Sequence, residues 1–389
     1  MSYGFSEAMA ARPDRAPTPG SEVGVQPLVD HTRLDGDTDE DRRIQAAHRL
    51  YEHLIGLWAP GVIEAAHDLG MFAELAKGAA SAVEVAETLK TDERATRIML
   101  DALHAYAMVD AVVPPDGITR YVLGERMLPS VLPGGVYSLT GKMDYDRAVA
   151  WPAWRSLAEA VRHGSRDAAG HDRANQISEA DYESLALGIN FWAPPIVARL
   201  HDWLDASGWD ASVPARVLDV GCGSGLYGQL MLRRRENWHV TGVDAPRIIE
   251  LARAQAQRLG VDDRFSGMVG DFWADAWGAG FDLVFFANIF HLQTPESAAK
   301  LTATAAGSLS ERGLICIADH IVDDTGRGES EQDRFARLFA ASMLATGGGD
   351  AYRLSRYDRW LESAGLRRVA LIDAPMHRIL IATRPDNTF

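Results

Sequence analysis

Two cysteines in 389 residues, Cys222 and Cys316, are too few for a disulfide framework. Reduced thiols in a cytoplasm are the expectation that follows. Long apolar runs are missing as well. None approaches the ~20 residues that span a bilayer, so no membrane partner is expected. The opening stretch "MSYGFSEAMAARPDRAPTPGSE" has no apolar core and does not read as a secretory signal. Basic residues are in deficit, 39 Lys and Arg against 54 Asp and Glu, for a net charge of −15. Such a balance disfavours nucleic-acid phosphates and anionic membrane surfaces as partners. The twelve histidines form no H-E-x-x-H and no closely spaced Cys/His cluster, so no metal site is expected. Neither Ser nor Cys stands in a nucleophile-elbow pattern.

What is present is a globular composition, 47% hydrophobic and 24% charged, in a chain long enough for two domains. Residues 1–43 are rich in Pro, Gly and acid and end in a solvated charge run, "DHTRLDGDTDEDRR", so disorder is expected there. Residues 44–135 read as helices interrupted at Pro60, then helix, turn, helix and a hairpin turning at Pro115-Asp116-Gly117. That order is a winged-helix pattern. A DNA-binding wing needs an excess of base, which "TDERATRIMLDALHAYAMVDAVVPPDGITR" lacks, and a dimerisation module is the expected alternative. Residues 136–210 read as helical and aromatic. Trp151, Trp154, Phe191 and Trp192 stand near helical spacing, either as plain core or as the lining of an aromatic substrate pocket.

From residue 211 onward strands and helices alternate, which predicts an α/β fold with a mostly parallel sheet covered on both faces. The closing pair in "RRVALIDAPMHRILIATRP" is joined too tightly to be parallel, so one terminal strand must run antiparallel. In "RVLDVGCGSGLYGQ" the first strand runs into Gly221, Gly223 and Gly225, with Asp219 just ahead. The spacing G-x-G-x-G is not the dinucleotide fingerprint, whose third glycine would fall on Leu226, and no P-loop ending follows. The loop therefore suits close main-chain approach to a nucleoside lacking a pyrophosphate. The second strand ends in Asp244, placed to accept from both hydroxyls of a ribose. The third ends in "VGDFW", where Asp271 could accept from an adenine amino group and Phe272 or Trp273 could cover the base.

These strand ends resemble the class I S-adenosylmethionine-dependent methyltransferases, whose first motif is D/E-x-G-x-G-x-G. The chain after residue 44 is similar to the small-molecule O-methyltransferases of plant caffeic acid type and of actinobacterial natural-product tailoring. The resemblance implies a winged-helix dimerisation domain before a Rossmann-like domain with a seven-stranded sheet. It implies S-adenosyl-L-methionine as cofactor, with Asp219 and the Gly221–Gly225 loop on its methionyl part, Asp244 on its ribose, and Asp271 with Phe272 at its adenine. It also implies a homodimer and a small-molecule acceptor.

Members of that family take the acceptor's proton with a histidine after the fourth strand, in a pattern like N-x-x-H-D-W. Here "ANIFHLQTPE" puts His291 at that position with Asn288 ahead of it, and Leu292 where the acid belongs. Histidine suits the task because it changes charge near neutrality. The carboxylate expected after the fifth strand matches Asp319 in "IADHIV"; a second falls on Ala351, with Asp350 one residue earlier. The resulting expectation is a methyltransferase acting on a hydroxyl of a small aromatic or polyketide-like acceptor. His291 is the base, Asp319 or Asp350 supports it, and Trp151, Trp154, Phe191, Trp192, Asn288, Phe339 and Met343 line the pocket. C-methylation, a non-methylating reaction on the same cofactor, and a winged-helix regulator are the competing readings.

Overall fold

A computed structural model describes residues 38–164, 178–209, 212–271, 273, 277–326 and 329–387. Disorder expected before residue 38 lies outside the described residues, and so does Phe272. The chain divides into two compact units at Met127.

In the first unit the acidic run turns helical sooner than expected. Thr38 and Asp41 form a reciprocal capping box at the start of helix Asp39–Ile55. Three acids in that first turn, Asp39, Glu40 and Asp41, complement the positive end of the helix dipole. Their charge, read as a sign of disorder, is therefore a helix start, and residues 39–43 of the segment expected to be disordered are helical. The chain breaks before Pro60, not at it: Pro60 lies in the first turn of helix Trp58–Asp68, where a missing N–H is tolerated. Ser81 with Glu84 caps helix Ala82–Leu89, and Asp92 caps helix Glu93–Ala105. Strands β1 (Ala80–Ser81), β2 (Asp110–Val112) and β3 (Arg120–Val122) pair antiparallel in the order β1-β3-β2. Two helices followed by this hairpin realise the expected wing.

The second unit is built on seven strands. They are β4 (Ala215–Val220), β5 (Trp238–Asp244), β6 (Phe265–Val269), β7 (Phe281–Ala287), β8 (Leu309–Asp319), β9 (Arg367–Ala374) and β10 (His377–Thr383). Their order is β6-β5-β4-β7-β8-β10-β9, and β10 alone opposes its neighbours. Alternate residues of each strand serve opposite faces, and both faces are buried. One face sends Val217, Val240, Leu283, Phe285 and Cys316 into helices Ala193–Ala206, Leu226–Arg234 and Pro246–Leu259. The other sends Leu218, Val243, Val284, Phe286 and Ile317 against Ala298, Leu301, Tyr357 and Trp360. Both cysteines are free and buried in the first of these cores. Among the described residues no helix is long and apolar enough to cross a membrane.

Chain order reverses between β4 and β7, so a crevice opens beyond their carboxyl ends. Because β10 runs antiparallel, its first residues reach that same edge. Arg378 stands opposite Asp319 in the register.

Candidate active site

The first strand exit is a turn that only glycine adopts without strain. Gly221, Gly223 and Gly225 have φ of 68°, 55° and 74°, in the left-handed region. A side chain at Gly225 would also press Gln229 Nε2 at 2.5 Å, and one at Gly228 would press Val240 Cγ1 at 2.6 Å. The helix start is thus held tight against the sheet. Main-chain bonds from Gly221 and Cys222 to the Val243 carbonyl tie the loop to β5. Asp244, at the end of β5, accepts from the Gly223 N–H at 2.9 Å and from the Ala245 N–H at 2.8 Å. Beyond β6, Asp271 is exposed and accepts from the Trp273 N–H at 2.8 Å.

Asp219 is nearly sealed, 1% exposed, and takes one hydrogen bond, from the Gly228 N–H at 3.3 Å. Burial pushes its carboxyl up to about 7. Burial raises Asp244 in the same sense. An under-bonded carboxyl beside three flexible main-chain units is a fitting seat for a cationic group, which would hold it ionised.

The exits of β7 and β8 carry the other half of the site. Asn288 takes a left-handed conformation, φ 60°, and turns the chain so that His291 sits on a short helical turn, Phe290–Leu292. His291 Nδ1 lies 2.7 Å from Asp319 Oδ1, and its main-chain N–H bonds the other oxygen at 3.1 Å. Asp319 is fully buried. Burial by itself would raise its carboxyl, but the charge and hydrogen bond of His291, with the His320 N–H, hold it well below the usual range. A carboxylate facing Nδ1 keeps the proton there and leaves Nε2 as the lone-pair nitrogen.

Asp350 supports the same residue differently. Its main-chain N–H bonds the His291 carbonyl at 2.9 Å, while its side chain is exposed. Gly349 is pressed there so closely that a Cβ would meet the His291 carbonyl at 2.1 Å.

Among the expected pocket residues, Phe339 lies 4.8 Å from the His291 ring, centroid to centroid. Phe191 and Trp192 adjoin at 5.3 Å, and Trp192 reaches His377 at 4.7 Å. Asn288 bridges Tyr227 at 3.3 Å and His377 at 2.8 Å. Met343 is buried on helix Glu331–Thr346, against which the short helix Trp151–Arg155 packs. Of that short helix's aromatics, Trp151 is half-buried and Trp154 is 38% exposed.

Two histidines of the cluster had not been anticipated. His320 follows Asp319 directly, and His377 opens β10; their rings lie 4.2 Å apart. Both are buried, and burial pushes both imidazoles down, His377 to about 4. The one available signal was a polar ring at the end of each apolar strand. His291, Asp319 and His320 each bring one potential ligand atom within 4.8 Å of the others, a grouping that no spacing along the chain announces. Within it, the Asp319 oxygens take bonds from His291 Nδ1 and from the main-chain N–H groups of His291 and His320.

Residues 217–313 match the methyltransferase domain family, and residues 51–126 match the O-methyltransferase dimerisation domain. The chain is 28% identical over 320 residues to 3-hydroxy-5-methyl-1-naphthoate 3-O-methyltransferase of Streptomyces sahachiroi, covering 82% of this chain and 88% of that one. The mitomycin biosynthesis 6-O-methyltransferase of Streptomyces lavendulae is 24% identical over 328 residues, 84% of this chain and 90% of that one. The protein is a methyltransferase, similar in both matched segments to the S-adenosylmethionine-dependent O-methyltransferases. Its fold is also that of human N-acetylserotonin methyltransferase, with a TM-score of 0.74 at 20% identity over 87% of this chain and 98% of that one.

For this methyltransferase the raised Asp219 has a consequence for stability. The native state keeps the Asp219 proton to about pH 7, whereas an unfolded chain releases it near ~3.9. Between those values the native state binds more protons, so this group's contribution falls as pH rises and is fully lost above about 7. Asp219→Asn should therefore raise the melting temperature of the ligand-free protein at pH 8 and flatten its decline from pH 5 to 8. Thermal melts across that range check it; an unchanged pH slope would show that the carboxyl is ionised throughout.

Proposed function

We propose that the protein transfers a methyl group from S-adenosyl-L-methionine to a hydroxyl of a small aromatic or polyketide-like natural-product intermediate. The observation that carries this reading is the His291–Asp319 pair at the exits of β7 and β8, on the same sheet edge as the Gly221–Gly225 loop.

S-adenosylmethionine, when bound, supplies a methyl group activated by its sulfonium. Asp219 and the glycine loop suit its cationic methionyl part, for the reasons of burial and main-chain access given above. Asp244 would hold the ribose, its oxygens already steadied by the Gly223 and Ala245 N–H groups. Asp271 would serve the adenine. His291 Nε2 takes the proton of the acceptor hydroxyl, so that oxygen attacks with alkoxide or phenoxide character. Asp319 holds the ring and offsets the positive charge the imidazole acquires. The same set of residues also serves to align the acceptor, because much of the barrier to an in-line displacement is orientational.

Calorimetry should detect uptake of S-adenosylmethionine or its demethylated product by the pure protein. Mass spectrometry with aromatic acceptors should then find methylated oxygen together with S-adenosylhomocysteine. Nucleoside uptake without that product would favour a non-methylating reaction, and no uptake at all would end the proposal.

A homodimer is part of this reading. Helix Asp39–Ile55 has no buried residue, yet it carries Ile44, Leu50, Tyr51 and Leu54, and Leu57 and Trp58 follow, all exposed. Apolar side chains at helical spacing left in water call for a partner, and the dimerisation-domain match spans most of them. Sedimentation should give twice the chain mass, and Leu50→Asp with Leu54→Asp should halve it; a wild-type monomer at micromolar concentration rejects the dimer.

A further inference from the structure

His377 has both ring nitrogens accounted for, by the Pro375 carbonyl and Asn288, and His291 has its Nδ1 held by Asp319. His320 differs. Its Nδ1 lies 2.8 Å from the Met376 carbonyl, an oxygen that can only accept, so Nδ1 carries the proton. Its Nε2 is buried without a hydrogen-bond partner, on a residue 1% exposed. A neutral imidazole in that tautomer is a pure acceptor at Nε2. Its surroundings keep it neutral: aromatic rings of Trp192, Phe335 and Phe339, and the imidazoles of His291 and His377. Asp319 meets His320 through its main-chain N–H.

Beside it stands a second unpaired atom of opposite sense. Trp192 Nε1, a donor only, is also buried without a partner, and the Trp192 and His320 rings lie 5.5 Å apart. An unmade hydrogen bond at a buried site costs about 1–3 kcal/mol per group, so two together beside a reactive pair invite a ligand that completes both. A hydroxyl does so with one group, donating to one atom and accepting from the other. Apolar rings around it would receive the flat body of an aromatic molecule.

We propose that His320 Nε2, with Trp192 Nε1, binds a second hydroxyl on the acceptor's aromatic system, beside the hydroxyl presented to His291. The preferred substrates are then aromatic diols rather than isolated phenols. This rests on the reading of the protein as a methyltransferase and deepens it. His320 acts on specificity and positioning, and takes no part in proton removal.

The test uses the full-length protein saturated with S-adenosylhomocysteine, which first establishes that the cofactor site is competent. Binding of 1-naphthol and 2-naphthol is compared by calorimetry with that of 1,2-, 2,3- and 1,8-dihydroxynaphthalene. At least one diol should bind tenfold or more tightly than its mono-ol. His320→Phe, which keeps a ring but loses the nitrogen, should erase that preference, bringing diol and mono-ol affinities together with S-adenosylhomocysteine binding retained. If His320→Phe does not fold, nitrogen-15 spectra of histidine-labelled wild type replace it: a diol, and not a mono-ol, should shift one non-protonated imidazole nitrogen. No diol preference in wild type, or a preference that survives in His320→Phe, overturns the proposal and leaves ordered water as the occupant. Failure to bind S-adenosylhomocysteine would instead overturn the methyltransferase reading on which it rests.

Discussion

His291→Ala should lower kcat by roughly 10²- to 10⁴-fold, the usual contribution of a positioned general base. The substitution removes the one side chain at the site whose free nitrogen is backed by a buried carboxylate. Cofactor affinity should hold within about threefold, because the glycine loop and Asp244 belong to other strands. The pH profile should lose the limb that reports the base, and added imidazole should recover part of the rate. Asp319 keeps the main-chain N–H groups of residues 291 and 320, so the fold retains its carboxylate partners. Steady-state kinetics beside a calorimetric titration separates these effects. Turnover within threefold of wild type would remove His291 as base and leave alignment to account for the rate.

Arg378→Ala should cost about 3–5 kcal/mol of stability, as expected when one partner of a buried ion pair is lost. Arg378 and Asp333 are 2% and 1% exposed. All five guanidinium N–H bonds are used: two on Asp333, and one each on the Ile321 carbonyl, Ser330 Oγ and Asp373. Asp333 is also the capping-box residue of helix Glu331–Thr346, and Arg378 holds its carboxyl well below the usual range. The pair thus pins the start of the helix that carries Phe335 and Phe339 to the histidine cluster. A drop on the order of 10 °C in melting temperature is expected for a unit of this size. Arg378→Lys should recover little, since a single ammonium cannot satisfy the fork. A shift under about 2 °C for Arg378→Ala would show that the clamp contributes nothing net.

Much of this was legible along the chain. Strand and helix periods in the second unit are strong because strands buried on both faces must be almost wholly apolar, as in "FDLVFFANI". Gly221, Gly223 and Gly225 stand out because so many glycines between two structured segments require a backbone reason. The charge run before Arg43 misled because acids at a helix start and acids in a solvated tail look alike until a capping residue is seen to bond. Leu292 stands where the acid was expected after His291, with Asp319 or Asp350 left to support the base. The partner was already present as Asp319, because β7 and β8 are neighbours and end side by side.

Chain order by itself determined the alternating elements and the glycine turn, since each rests on local periodicity or on spacing within one βα unit, while the candidacy of His291 and Asp319 followed from the family resemblance of their strand-end positions. Only the tertiary structure decided that Asn288 meets His377 across 89 positions, that His320 is left with a bare buried nitrogen beside Trp192, and that Arg378 clamps Asp333. The reason is geometric: a parallel sheet gathers its strand exits on one edge, and the single reversed strand, β10, brings its own beginning there.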